Sequence, residues 1–523
     1  MRTAVILTLS LLLACGDDGK SPTIDAPDTH ADAPFDVAAP DAPACGAAGP
    51  AQMMCGTSCV DTSSDPLHCG DCTMTCSGST TTCAGGLCRM PLTTIWEHHF
   101  GGGDFGYNGQ GVAVDGAGNV YAAFTSLGTI DLGGGALASA GGEDIVVASF
   151  TPAGVHRWSK RFGGTGNDQP TGLTTDGTRV YITGAFVGTV DFGGGNVISA
   201  GSEDVFVLTL SATSGAYVSS RTFGTPGDDA GLGIVVDAQG NVTVGGFFGA
   251  GTLDFGGGNT ITGAGFNAFV ASATGAGVHR WSRRLSGTAS TTISSCQAIG
   301  IDGAGNVTTG GDLDGTTDFG QGTVTAMGTD VFVASYTSMG VPRWSKVFGA
   351  SQSDDGNALS VEVGGNVAVG GIFHGTVSFG GTSLTSSGVV DGFVVLLDGT
   401  NGATKFARKL GASSSGGVDA LRFDPMGNVI AGGSIEGTAD FGTGPLAPLG
   451  VYDIFIAGFD KTSGNGLFAR RLGGTDYDET NALAVTQGGA IVATGQFRAT
   501  VDLGLGTIAG GAMDNGFILL LTP

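Results

Sequence analysis

The sequence predicts an all-β chain, a seven-bladed β-propeller of four-stranded blades, from three observations. Trp96, Trp158, Trp281 and Trp344 share one phase that continues through Phe406 and Phe468, with Ser219 in the third copy, so seven starts lie 61 to 63 residues apart. Near-equal units of that length belong to repeat architectures whose neighbours share a core. Within each copy apolar residues alternate with period two, the strand period. Glycine, 99 of 523 residues, recurs in register with them, as turn residues of a folded array do.

Taken from the N-terminus, Arg2 and the apolar run Ala4 to Leu13 lead into Leu12-Leu13-Ala14-Cys15, which resembles a bacterial lipobox. The resemblance implies that residues 1–15 are a signal peptide ending in the lipidated Cys15, and that the chain is exported. Gly16 rather than aspartate follows the cysteine, so the outer membrane or cell surface is the expected destination. No other stretch is long and apolar enough to span a bilayer as a helix, which leaves the lipid as the membrane contact. Residues 16–44, rich in Asp, Ala and Pro, cannot bury a core and are expected to form an extended tether.

Residues 45–90 carry eight cysteines, Cys45, Cys55, Cys59, Cys69, Cys72, Cys76, Cys83 and Cys88. In an exported chain such density predicts a disulfide framework of open connectivity. Cys69-Gly70-Asp71-Cys72 could also be a redox pair, and the cluster with His68 could hold zinc, but no thioredoxin-like βαβ pattern surrounds it.

From residue 91 to 523 each copy contains four strand-like runs. The first alternates, as in Val112 and Val114, Ile234 and Val236, Ile299 and Ile301, and Leu483 and Val485. It ends in an Asp-Gly-Ala-Gly-Asn type turn (Asp115 to Asn119, Asp302 to Asn306), where Asp forms an Asx-turn and Gly supplies positive φ. The second run closes on glycine in six copies, Gly184, Gly246, Gly311, Gly371, Gly433 and Gly495, a sign of close backbone approach. A long loop with Asp191-Phe192-Gly193 or its equivalent precedes the third run, which opens on Asp144, Asp204, Asn267, Asp330, Asp391, Asp453 and Asn515. The fourth run holds the tryptophans and, in or beside it, 14 of the 21 basic residues.

Ala298 to Gly311 with Asp330 to Val333 resembles the SBBP family of β-propeller repeats. The resemblance covers 91–523 and implies four-stranded blades with the alternating strand innermost and the tryptophan strand at the outer edge. There Lys and Arg prevent edge-to-edge pairing, and Trp packs over a neighbouring blade. The seventh copy stops after Phe517 to Leu521 and the first is preceded by Thr93 to Phe100, so these two are expected to pair and close the ring. Closure removes the exposed edges that a linear array would leave, and a monomer is expected.

With 46 acidic against 21 basic residues and a net charge of -25, electrostatic binding to nucleic acid or anionic lipid is excluded. The long-loop face gathers Asp168, Asp228, Asp229, Asp354, Asp355, Asp476, Asp478 and Glu479 as candidate ligand-binding residues. Asp228, Asp229, Asp476 and Asp478 suit a calcium ion, although no full D-x-[DN]-x-[DN]-G loop is present. No HExxH or nucleophile elbow occurs, so no catalytic residue is assigned. Cys296, unpaired in the fourth copy, is either a half-buried product of loop drift or a nucleophile. The expected function is a non-catalytic surface binding or scaffold protein, its acidic face engaging a protein, glycan or cation. A propeller hydrolase or lyase acting on an envelope polymer and a purely structural envelope protein are the alternatives.

Overall fold

The computed structural model describes residues 92–101, 107–286, 294–411, 416–511 and 513–522, and the short strands 52–55, 58–61, 82–84 and 87–89. Cys15, the 16–44 segment, Cys45, Cys69, Cys72 and Cys76 lie outside the described residues. The short strands form two antiparallel hairpins, Gln52–Cys55 with Ser58–Asp61 and Thr82–Ala84 with Leu87–Arg89.

Seven antiparallel sheets with a core of four strands each make up the rest, and among the described residues no helix interrupts them. The inner strands of blades one to seven are Tyr107–Val114, Gln169–Thr175, Ala230–Val236, Ser295–Ile301, Asp355–Val361, Gly416–Phe423 and Asp478–Val485. Each packs against the inner strands on both sides, and the seventh packs on the first, so they enclose a central channel. In blades one to six the strands lie in chain order from inside to outside, and the outer strands His156–Phe162, Tyr217–Phe223, His279–Arg284, Pro342–Phe348, Thr404–Leu410 and Gly466–Gly474 carry the aromatic phase. Blade seven takes its outer strand from the N-terminal side: Thr94–Phe100 pairs with Asn515–Leu521. The expected architecture and its closure are both found.

The cores lie between blades because a radial sheet presents a face to each neighbour. One cluster joins Phe124, Val146 and Phe150 of blade one to Val492, Ile518, Leu520 and Trp96 of blade seven. The tryptophans are the lateral pins: Trp96, Trp158, Trp281 and Trp344 are buried, and each Nε1 donates to a carbonyl in the next blade's outer turn, Pro152, Ala212, Ser338 and Gly399, at 2.9–3.0 Å.

Local chemistry explains the turns. Asp115 Oδ1 accepts from the amides of Ala117 and Asn119 while Oδ2 accepts from the Asn119 side chain, all at 2.9 Å, and Gly118 takes φ 81°. Asp237, Asp302 and Asp424 repeat the device. The segment expected as a long loop is instead a short β-arm in every blade. In blade two the second strand, Arg179–Asp191, runs straight into it, and Phe192 stacks on Phe206 at 5.1 Å. The aromatic at the arm's bend buries against the third strand, so the arm folds back onto its own blade.

Basic residues of the outer strand do more than guard an edge. Arg161, Lys409 and Arg471 pair with the third-strand aspartates Asp144, Asp391 and Asp453 at 2.6, 3.5 and 2.8 Å.

Candidate functional site

Every inner strand departs from its ladder at one repeat phase. A β-bulge shifts the register at Gln110, Thr171, Leu232, Gln297, Asn357, Asp419 and Asn481, near the loop-side end of the channel. A bulge re-aims the extra residue, and here all seven join the channel wall. This is the reason for the repeated glycine. A Cβ at Gly184 would sit 1.9 Å from the Gln169 carbonyl oxygen and one at Gly371 1.9 Å from that of Asp355, so the second strand must be bare where the inner strand swells.

The ring is symmetric in backbone and asymmetric in charge. Blades one to three contribute Gln110, Thr171 and Leu232, and the Thr171 hydroxyl is bound to the Gly231 carbonyl of the next blade. Blades four to seven contribute carboxylates: Asp312 on the second strand of blade four, Asp355 at the start of the blade-five inner strand, Asp419 in the blade-six bulge, and Glu479 on the blade-seven inner strand.

Their partners are neutral. Asp312 Oδ2 accepts from Gln297 Nε2 at 3.0 Å and Ser295 Oγ at 3.1 Å, and its Oδ1 from the Gly356 amide at 2.9 Å, tying blade four to blade five. Asp419 Oδ1 is 3.5 Å from Asn357 Nδ2, and Glu479 Oε1 accepts from Gln496 Nε2 at 2.7 Å.

Enclosure by protein, with the Glu479 charge beside it, pushes the Asp419 carboxyl up to about 7. Burial likewise raises Glu479, helped by the Asp514 charge, and raises Asp312, helped by Asp355. Deeper in the wall is Arg422, whose guanidinium burial pulls down to about 10; its Nη1 donates to the Leu421 carbonyl at 2.7 Å. The open channel space lined by Asp419, Arg422 and the bulge residues is about 130 Å³. Such a site favours a positive charge entering from the loop face, because a cation offsets the burial and like-charge repulsion that keep protons on these carboxyls.

The residues expected on the loop face divide into two groups. Asp168, Asp229, Asp354 and Asp478 are fully buried clamps at one repeat phase. Asp168 accepts from the amides of Gly164 and Val187 at 2.7 and 3.0 Å; Asp354 from Ala350 and His374 at 2.9 and 2.8 Å; Asp478 from Gly474 and Arg498 at 2.6 and 3.3 Å. Asp229 takes Thr225 and Gly249 in the same way. Each therefore joins the loop entering a blade to the end of that blade's second strand. Burial raises all four, and the third-strand aspartate of the preceding blade adds to it, with Asp478 reaching about 7.

The second group, Asp228, Asp355, Asp476 and Glu479, is partly exposed. Asp355 and Glu479 lie at the start of the inner strands of blades five and seven. Asp228 and Asp476 sit on rim loops of blades three and seven, where the Asp476 carboxylate caps the Tyr477 amide at 2.9 Å. Among the described residues no three His, Cys, Asp or Glu side chains group closely enough to hold a metal ion.

Asp312, Asp419 and Arg422 were not among the expected site residues, although the sequence marks them. Asp312 follows Gly311 where the other copies have Thr125, Ala185, Phe247, Ile372, Ser434 and Gln496. Asp419 is the one acid at a phase otherwise Gln, Thr, Leu or Asn.

Cys296 is fully buried in the blade-four bulge, its Sγ 3.7 Å from the Ala298 carbonyl, and burial pushes the thiol up to about 12. Structure rather than nucleophilic chemistry accounts for it. A thiol reagent is expected to leave Cys296 unlabelled in the native protein at pH 8 and to label it fully in denaturant, as read by peptide mapping. Labelling of the native protein within minutes would restore the reactive alternative.

Among solved structures the chain is similar to quinohemoprotein alcohol dehydrogenase from Comamonas testosteroni (10% identity, 82% of this chain and 76% of that one, TM-score 0.41). It is also similar to the Dos1 propeller (8% identity, 82% and 95%, TM-score 0.40) and to BamB from Moraxella catarrhalis (10% identity, 83% and 98%, TM-score 0.34). No family model and no curated protein matches the sequence.

Proposed function

We propose that the chain is a non-catalytic binding or scaffold protein of the SBBP propeller type, exported and anchored through Cys15, whose acidic channel mouth receives a cationic group of a protein partner. One observation carries the reading: Asp419 lines the channel, Asp312, Asp355 and Glu479 lie on inner or second strands of blades four, five and seven, and the hydrogen-bond partners of all four are neutral. A lysine or arginine side chain fits this chemistry better than a neutral glycan, since it supplies the charge the carboxyls lack. No metal is invoked, and the ring works as a monomer.

A second reading is favoured by Asp419 alone. A carboxyl that keeps its proton to about 7 next to a second carboxylate is a general acid and base pair in outline, as a polymer-cleaving enzyme would need. One experiment separates the two. The mature protein, an Asp419→Asn/Glu479→Gln variant and an Asp228→Asn variant are each used to capture partners from intact cell surfaces, and each is run against a panel of envelope polymers. Capture by the wild type and the rim variant but not by the mouth variant supports binding. Polymer cleavage that vanishes with Asp419→Asn would overturn it in favour of catalysis.

A further inference from the structure

The aromatic phase fails once, at Ser219, and only the Arg221 guanidinium stands in for it, lying against Gly277 where the equivalent glycines Gly154, Gly215, Gly340 and Gly402 meet an indole. Four other outer strands put a buried indole against the next blade's turn. Between blades two and three no indole is present, and a cavity of about 630 Å³ occupies the region around Ser219, within the size range of small-molecule sites. Val207, Val242, Val244 and Ala271 line it, with Phe223 and Phe255. Val218 at its rim is 43% exposed.

A second departure falls in the same place. The turn residue that is Asn119, Asn241, Asn306, Asn366 and Asn428 in other copies is Arg179 in blade two, and its side chain lines the cavity. Its Nη1 would lie 3.8 Å from a Cβ on Gly275, while the Arg221 guanidinium lies against Gly277, so both cations reach the turn Gly275–Gly277. Neither is among the ion pairs of the described residues. Arg221 Nη2 is 3.4 Å from the Ala276 carbonyl. The one carboxylate in the lining, Asp254, accepts from the Gly256 amide at 2.8 Å. His279 stacks beside Phe255 at 6.0 Å, and burial lowers its proton affinity, which favours the neutral imidazole. By repeat position Gly275 holds the carbonyl that takes an indole N–H in other blades.

We propose that this gap is a binding site for a planar aromatic anion. Its ring takes the open cavity beside Ser219, a ring N–H or O–H donates to the Gly275 carbonyl, and its negative group lies between Arg179 and Arg221. In a chain of net charge -25, two guanidiniums at one apolar cavity select an anion that the rest of the surface repels. The site is separate from the channel mouth and does not depend on its function.

The test is calorimetric titration of the whole mature protein with indole-3-acetate, and with neutral indole as the second probe. Wild type is expected to bind the anion at least about tenfold more tightly than indole. Ser219→Trp restores the repeat residue and is expected to abolish binding of both while melting at or above the wild-type temperature. Arg179→Asn restores the repeat turn and is expected to weaken the anion at least about tenfold while leaving indole within about twofold. Failure of wild type to bind indole-3-acetate overturns the proposal, as does unchanged binding by a folded Ser219→Trp protein.

Discussion

A chain lacking residues 92–101 is expected to lose its cooperative unfolding transition. The closing strand supplies the whole outer edge of blade seven: Phe100, His98, Trp96 and Thr94 pair with Gly516, Ile518, Leu520 and Leu521. It also joins blades that are distant in the chain. Thr94 Oγ1 donates to the Leu503 carbonyl at 2.6 Å, Arg470 Nη1 donates to the Leu92 carbonyl at 2.6 Å, and Trp96 reaches Pro152 of blade one. Without it the Asn515–Leu521 strand, every residue of which is buried, becomes an apolar free edge. Trp96→Ala alone is expected to cost about 3–5 kcal/mol, the usual range for emptying a buried tryptophan site. Urea denaturation followed by intrinsic fluorescence measures both; a deletion that still unfolds in one sharp transition would mean the ring holds without its lock.

Asp229→Ala is expected to destabilise the protein by about 3 kcal/mol, and its neighbour Asp228→Ala by less than about 0.5 kcal/mol. Asp229 satisfies the buried amides of Thr225 and Gly249 and the Thr225 hydroxyl. Removing the carboxylate strands these donors, and no other acceptor replaces it. Asp228 is partly exposed on the rim, so truncation there removes only solvated charge. The same contrast applies to Asp478 and Asp476. Equal midpoints for Asp229→Ala and wild type in urea would show that the clamp is not holding the loop.

The architecture was legible because it is written seven times. The alternating strand, the Asx-turn, the repeated glycine and the tryptophans each recur in phase, and all of them turn out to serve packing or backbone geometry. The loop aspartates were harder to place. Asp168, Asp229, Asp354 and Asp478 share a phase, which is the mark of a structural part, whereas of the acids beside them Asp355 and Glu479 follow the clamp by one residue and Asp228 and Asp476 precede it by one and two. Sequence adjacency joined two classes that a single step along a strand separates by burial. The sequence puts Asp419 at one phase with Asn357 and Asn481, but because the bulge adds one residue out of step with the strand alternation, only the register shows that this phase lines the channel. The arms escaped notice because their strands are two to four residues long in most blades, too short for a period to show.

The most direct test of a cation-receiving channel mouth is the affinity for a lysine-rich peptide measured by calorimetry at pH 6 and pH 8. Asp419, held up to about 7, is mostly protonated at the lower pH and mostly ionised at the higher, and only the ionised form attracts the ammonium group. Binding and ionisation are linked, so affinity is expected to rise through pH 7 by roughly tenfold in the wild type. Asp419→Asn is expected to bind weakly at both values with no such rise, while Asp228→Asn follows the wild type. An Asp419→Asn protein with wild-type affinity and the same pH response would contradict the assignment of the site to the channel mouth.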